Sequence, residues 1–326
     1  MFQYFGYDPQ IEYEKRALRT SAGFVGALML VLIVTMNLTY LVVAYALALF
    51  GFLPKDGLSQ ENLGLDNTTY LIVYGLVYAF AMGSPLLVRA FTKNRFVKYP
   101  PKDVPGGLVY FGTLAAMGVC MVANLVTNYL VSILESIGIP SPEFPQLLEP
   151  TNISFVLNLI IMAMLPALLE ELVFRWCVLR ALRPFGDGLA IVISAVLFGL
   201  MHGNIRQIPF ALMVGLALGF LYVVTNCLWL PILVHFMNNA LSVCLEYTAF
   251  SMNDYSAGWF YVYVIYGLAV LGVLTLPVLF LLYRKQMRIS PISTRLSTGQ
   301  RVGGLLKAPT LVISLLLFFV ILIFGM

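Results

Sequence analysis

Apolar residues gather along this chain in nine stretches, near 22–51, 69–91, 106–134, 153–180, 188–203, 207–226, 228–247, 257–283 and 309–326, each set off by a short polar or charged interval. A helix rises about 1.5 Å per residue and the hydrocarbon core of a bilayer is roughly 30 Å thick, so runs of this length predict spanning helices. The pattern predicts an all-α fold, a polytopic transmembrane helix bundle of eight or nine helices. Lys15, Arg16 and Arg19 precede the first run, which at about thirty residues is too long for the core of a cleavable signal peptide and predicts a retained first span.

Composition agrees with the pattern. The 326 residues are 60% hydrophobic and 10% charged, with a mean hydropathy of +0.91, far from the balance of a water-soluble domain. The net charge of +4 is modest and lies in particular loops, so it speaks to orientation. Basic Lys15, Arg16 and Arg19 are followed by acidic Asp56, Glu61 and Asp66, then by Arg89, Lys93, Arg95, Lys98 and Lys102, then by Glu135, Glu143 and Glu149. Arg175, Arg180 and Arg183, a lone Asp254, and the basic group Arg284, Lys285, Arg288, Arg295, Arg301 and Lys307 continue the alternation, with Arg206 as the exception. Keeping lysine and arginine inside predicts a multi-pass protein of the plasma membrane with a cytoplasmic N-terminus and, with nine spans, an outer C-terminus.

The chain divides by expectation into spans one to three (1–150), a core of spans four to seven (151–250) and a C-terminal part (251–326). In that last part residues 284–308, punctuated by Pro291, Gly303, Gly304 and Pro309, read as a cytoplasmic loop. No basic tract interleaved with aromatics points to nucleic acid. Cys120, Cys177, Cys227 and Cys244 lie in apolar runs without CxxC spacing and read as packing residues. The bilayer itself is the first partner the sequence implies.

Ionisable groups at bilayer depth are expensive and persist mainly where they pair or line a cavity. Of fifteen carboxylates only Glu170 and Glu171 lie well inside a predicted span, Glu246 being at the end of one, and the only two histidines, His202 and His235, also lie in or at the end of apolar runs. Arg175 follows Glu171 by four residues, the favourable order for an ion pair on one helix face, so this pair can neutralise itself. Glu170 points about 100° away on the helical wheel and has Phe174 four residues on, so its own helix offers no counter-charge. An acid in that setting is the kind of group that serves as a general base near neutral pH.

Each histidine has a companion four residues away. The ring of Phe198 can wedge His202, and Asn239 can bond His235 or donate to an oxyanion. Counting from the cytoplasmic ends of their helices puts Glu170 and His235 roughly 15 Å deep and His202 roughly 20 Å, one shared layer, with Pro166 able to kink the first of these helices. Asn124 and Asn128 share a face and read as helix-to-helix bonding, Asn204 and Arg206 as a cavity rim, and most tyrosines and tryptophans, Trp176 and Trp229 among them, as an interfacial belt.

Peptide hydrolysis inside a membrane can run on zinc, paired aspartates, serine or glutamate. No HExxH, no second aspartate within a span and no GxSxG elbow occurs, which leaves Glu170 with two histidines. EELVFR (170–175), FGLMH (198–202) and HFMNN (235–239) resemble, in order and spacing, the EExxxR, FxxxH and HxxxN motifs of the CPBP family, the CAAX-prenyl proteases and bacteriocin-processing or self-immunity proteins. The resemblance covers about residues 150–250. It implies an intramembrane endopeptidase acting on a peptide or membrane-anchored protein, in which Glu170 activates water with His202, His235 and Asn239 stabilise the oxyanion, and Glu171, Arg175 and Phe198 support them.

Glu170, His202 and His235 are also a His₂Glu set able to hold zinc, and the family is described both as metalloproteases and as glutamate proteases. Glutamate chemistry is favoured slightly, since a zinc-bound Glu170 leaves no separate base while Glu171 is engaged by Arg175. The alternatives are a non-catalytic scaffold or self-immunity protein that binds peptide in the same cavity, and a proton-coupled carrier, which the lack of inverted repeats disfavours.

Overall fold

The structure, a computed structural model, describes residues 8–54, 56–60, 62–92, 97, 99–100, 102–139, 151–289 and 294–324. Glu61, Glu143, Glu149, Lys93, Arg95, Lys98 and Pro291, which entered the readings of loop charge and linker, lie outside them. Among the described residues ten helices make up the fold: α1 (Pro9–Leu49), α2 (Asn67–Phe91), α3 (Gly106–Ser136), α4 (Asn152–Phe185), α5 (Asp187–Met201), α6 (Ile208–Thr225), α7 (Trp229–Ala249), α8 (Asp254–Tyr283), α9 (Thr298–Leu306) and α10 (Pro309–Phe324). Their starts are set locally. Asp66, Thr151 and Asn253 each accept a hydrogen bond from a backbone N–H of the first turn they cap, satisfying a donor that the helix itself leaves open.

Each of the nine predicted spans holds a helix. On length and composition α1, α2, α3, α4, α6 and α8 can cross a membrane, and α9 with α10, bent by 76°, make up to a seventh span among the described residues. The multiple apolar helices make this an integral membrane protein. α5 and α7 fall short for different reasons: α5 has only 15 residues, while α7 has 21 but is diluted by His235, Asn238, Asn239 and Glu246. These are the two helices that present the histidines.

Two apolar clusters hold the bundle together. Leu18, Leu28 and Leu32 of α1 pack with Phe174 and Leu182 of α4, Phe198 of α5 and Phe318 of α10. Met117 and Cys120 of α3 pack with Leu218 of α6, Val234 of α7 and Ile265 of α8. Gly118 and Gly272 let α3 and α8 cross so closely that a Cβ on either would overlap the other's backbone. Asn124 accepts from Asn128 at 3.1 Å and from Tyr261 of α8 at 2.9 Å, the helix-to-helix role expected of it.

Two expectations need adjustment, and one exception finds its partner. Residues 284–308 are not all loop, because α9 forms within them, closed by a capping box between Ser297 and Gln300. One of the glycines that suggested a break serves close packing: a Cβ at Gly304 would come within 2.6 Å of Leu18 Cδ2, whereas Gly303 faces open space. Arg301 of α9 is buried and donates to the Phe185 carbonyl at 3.0 Å. Pro166 does not carry the irregularity of α4 alone; the helix widens into π turns over Leu159–Met164 and Leu172–Leu179, on either side of the glutamates. Arg206, the exception to the loop-charge pattern, lies 2.5 Å from Glu135 at the end of α3, so its charge is matched locally.

Candidate active site

The site grows from the regular turn Leu165–Glu171 between the two π segments of α4. Both glutamates are buried, at 5% and 0% exposure, yet they face different neighbours, as a rotation of about 100° per residue requires. Glu171 turns toward α6 and α7. Its Oε2 lies 3.0 Å from Arg175 Nε and its Oε1 lies 2.9 Å from His235 Nδ1. Arg175, also at 0% exposure, reaches the Gly215 carbonyl of α6 at 3.4 Å and stacks over the Phe198 ring, 4.6 Å from guanidinium carbon to ring centroid. The self-neutralising pair is present, but Glu171 does more than neutralise Arg175: it also fixes the histidine of α7.

Glu170 turns toward α2. Tyr78 donates its phenol hydrogen to Glu170 Oε1 at 2.5 Å, so the second glutamate has a partner that its own helix does not supply. Its other oxygen, Oε2, is buried without a hydrogen-bond partner among the described residues and lies 3.7 Å from His235 Nε2. That separation is beyond direct hydrogen bonding. Tyr78 is the functional candidate that sequence reasoning missed. The available signal was the i, i+4 row Tyr70, Tyr74, Tyr78 along one face of α2, in which Tyr74 and Tyr78 stack and Tyr70 is tilted against Tyr74. Tyr78 stands eleven residues into the helix, roughly 16 Å from its start, too deep for an interfacial belt.

Phe198 is the hub for both imidazoles. His202 meets its ring edge-on at 5.2 Å and His235 at 6.0 Å, while Phe174 closes the third side at 5.2 Å. His202 ends α5, with its Nδ1 2.8 Å from the Phe198 carbonyl. A carbonyl only accepts, so Nδ1 carries the hydrogen and the lone pair of a neutral ring sits on Nε2. The same reasoning at His235 places the hydrogen on Nδ1, toward the Glu171 carboxylate. Asn239 is turned toward α4, donating to the Met162 carbonyl at 3.3 Å and accepting from Asn238 at 3.1 Å; of its two expected roles, the bond to His235 is not among those of the described residues. Asn204 accepts from the Arg206 backbone N–H at 2.8 Å, within the turn that follows His202.

As a metal site the constellation does not fit. Among the described residues no group of three His, Cys, Asp or Glu side chains is arranged to hold an ion. The set Glu170, His202 and His235 is therefore not disposed as zinc ligands, and no step below runs through a metal.

These features define a membrane-embedded helix bundle with a buried acid, a carboxylate-oriented imidazole and a second imidazole of fixed tautomer. Residues 152–241 match the family described as "Type II CAAX prenyl endopeptidase Rce1-like". The chain is also 31% identical over 91 residues to the Bacillus subtilis (strain 168) protein named "Putative membrane peptidase YdiL", over 28% of this chain and 37% of that one. The match thus spans little more than a third of the length of that relative. No solved structure matches. The resemblance carried by EELVFR, FGLMH and HFMNN is borne out, since all three fall inside the matched segment.

Proposed function

We propose that this protein is an intramembrane endopeptidase whose attacking water is activated by Glu170. The observation that carries the reading is the unbonded Glu170 Oε2, buried 3.7 Å from His235 Nε2 within the segment that matches the endopeptidase family. In this reading Glu170 Oε2 takes a proton from a water that also donates to His202 Nε2. The hydroxide adds to the scissile carbonyl carbon, and Glu170 returns the proton to the departing amine. Asn239 spends one amide hydrogen on Met162 and has a second to give to the oxyanion, beside His235, whose ring is held by Glu171. Glu171 and Arg175 act by holding His235 and Phe198 in place.

Residues 151–250 serve as the catalytic core, working on a peptide or membrane-anchored protein near the cytoplasmic half of the bilayer, with the N-terminus in the cytoplasm. The ion pair of Arg206 with Glu135 supports that orientation, because it removes the one misfit in the loop charges. The test is cleavage of membrane-anchored peptides by the purified full-length protein in vesicles. Glu170→Gln is expected to lower kcat by roughly 10²- to 10⁴-fold, the range for loss of a general base. Wild-type rates in both Glu170→Gln and His202→Ala would refute the reading. A cellular phenotype that survived Glu170→Gln would favour peptide binding without catalysis.

A further inference from the structure

Resting on the endopeptidase reading, we infer that Tyr78 of α2, outside the segment matched by the family, is the positioning residue that anchors one oxygen of Glu170 and reserves the other for water. An ionised carboxylate has two equivalent oxygens and only accepts, so a lone glutamate offers either oxygen to a proton and rotates between them. Here the equivalence is broken. Oε1 takes the Tyr78 hydrogen at 2.5 Å, and Oε2 is left unbonded on the side of His235. The phenol has one hydrogen to give and a ring fixed by stacking on Tyr74 at 6.3 Å, so the anchor itself is held in place.

The bond survives the chemical step. When Oε2 accepts the proton of water, Oε1 becomes the carbonyl oxygen of the acid and still accepts from Tyr78. No proton needs to move on the phenol, and the tyrosine stays neutral throughout. The titratable and charged groups around Glu170 are Tyr74 and Tyr78 on α2, His235 on α7, and Glu171 and Arg175 on its own helix. Of these only Tyr78 donates to Glu170 within hydrogen-bond distance among the described residues.

The experiment is Tyr78→Phe in the full-length protein, which deletes the donor and keeps the ring, beside Tyr74→Phe, which removes a neighbouring phenol not bonded to Glu170. Tyr78→Phe is expected to lower kcat roughly 10- to 100-fold with KM changed less than about twofold. Tyr74→Phe is expected to keep both within about twofold. The infrared carboxyl band that disappears in Glu170→Gln reads the same bond without turnover, and its frequency is expected to move in Tyr78→Phe. Wild-type kcat and band position in Tyr78→Phe, or equal losses in both tyrosine variants, would overturn the inference. Unchanged Tyr78→Phe alongside inactive Glu170→Gln overturns this inference alone, whereas a fully active Glu170→Gln overturns the endopeptidase reading with it.

Discussion

Replacing Arg175 by methionine keeps most of the side-chain volume and removes the guanidinium from a position with no solvent exposure. Glu171, equally buried, is then left with His235 Nδ1 as its remaining polar partner, and the stacking of the guanidinium on Phe198 is lost. Deleting one partner of a buried ion pair costs about 3–5 kcal/mol, because the other charge is stranded. Replacing both partners by apolar residues removes that stranded charge. In the double variant Glu171→Met/Arg175→Met the remaining defect is the His235 Nδ1–H without its acceptor, an unsatisfied buried donor worth about 1–3 kcal/mol.

The double variant should therefore be more stable than the single one, by about 2 kcal/mol between these ranges, while its catalysis stays impaired because His235 has lost its orienting carboxylate. Reversible unfolding in mixed detergent micelles, followed by tryptophan fluorescence or far-UV circular dichroism, measures both variants in one cycle. Interhelical polar contacts in membranes average only about 0.6 kcal/mol. A loss of that size in Arg175→Met, or a double variant no more stable than the single one, would show that the ion pair is ordinary helix-to-helix glue and refute the reasoning.

Two further outcomes follow from the site. Asn239→Ala removes a candidate oxyanion donor and the tie to the Met162 carbonyl, and is expected to lower kcat by roughly 10²- to 10³-fold with a much smaller effect on KM; a change confined to KM would assign Asn239 to substrate binding instead. Because Glu170, His202 and His235 are not disposed as a ligand set, dialysis against a strong chelator is expected to leave turnover within about twofold, and loss of turnover that zinc restores would reverse that assignment.

The helices were legible because the bilayer demands long apolar runs, and nothing else in this chain is patterned so strongly. The Glu171–Arg175 pair was legible too, since four residues on a helix fix two side chains on one face. What the sequence hid was relation between helices. Spacing along α7 placed Asn239 beside His235, but the Met162 carbonyl on α4 captured its amide. Spacing along α4 left Glu170 without a partner, but α2 supplied one 92 residues earlier in the chain. The π turns were equally hidden, since Leu159–Met164 and Leu172–Leu179 are apolar runs that fit an ordinary helix.

The anchoring of Glu170 by α2 bears on how this bundle can be recombined. A graft of residues 152–241 into another helical scaffold would carry the acid, the arginine and both imidazoles, yet its hydrolytic oxygen would swing free unless the host offered a phenol at the same height. Exchange of the amino-terminal helices between relatives then becomes a way to tune the base without editing any of the three motifs, and chimeras divided between α3 and α4 would be the place to look for it.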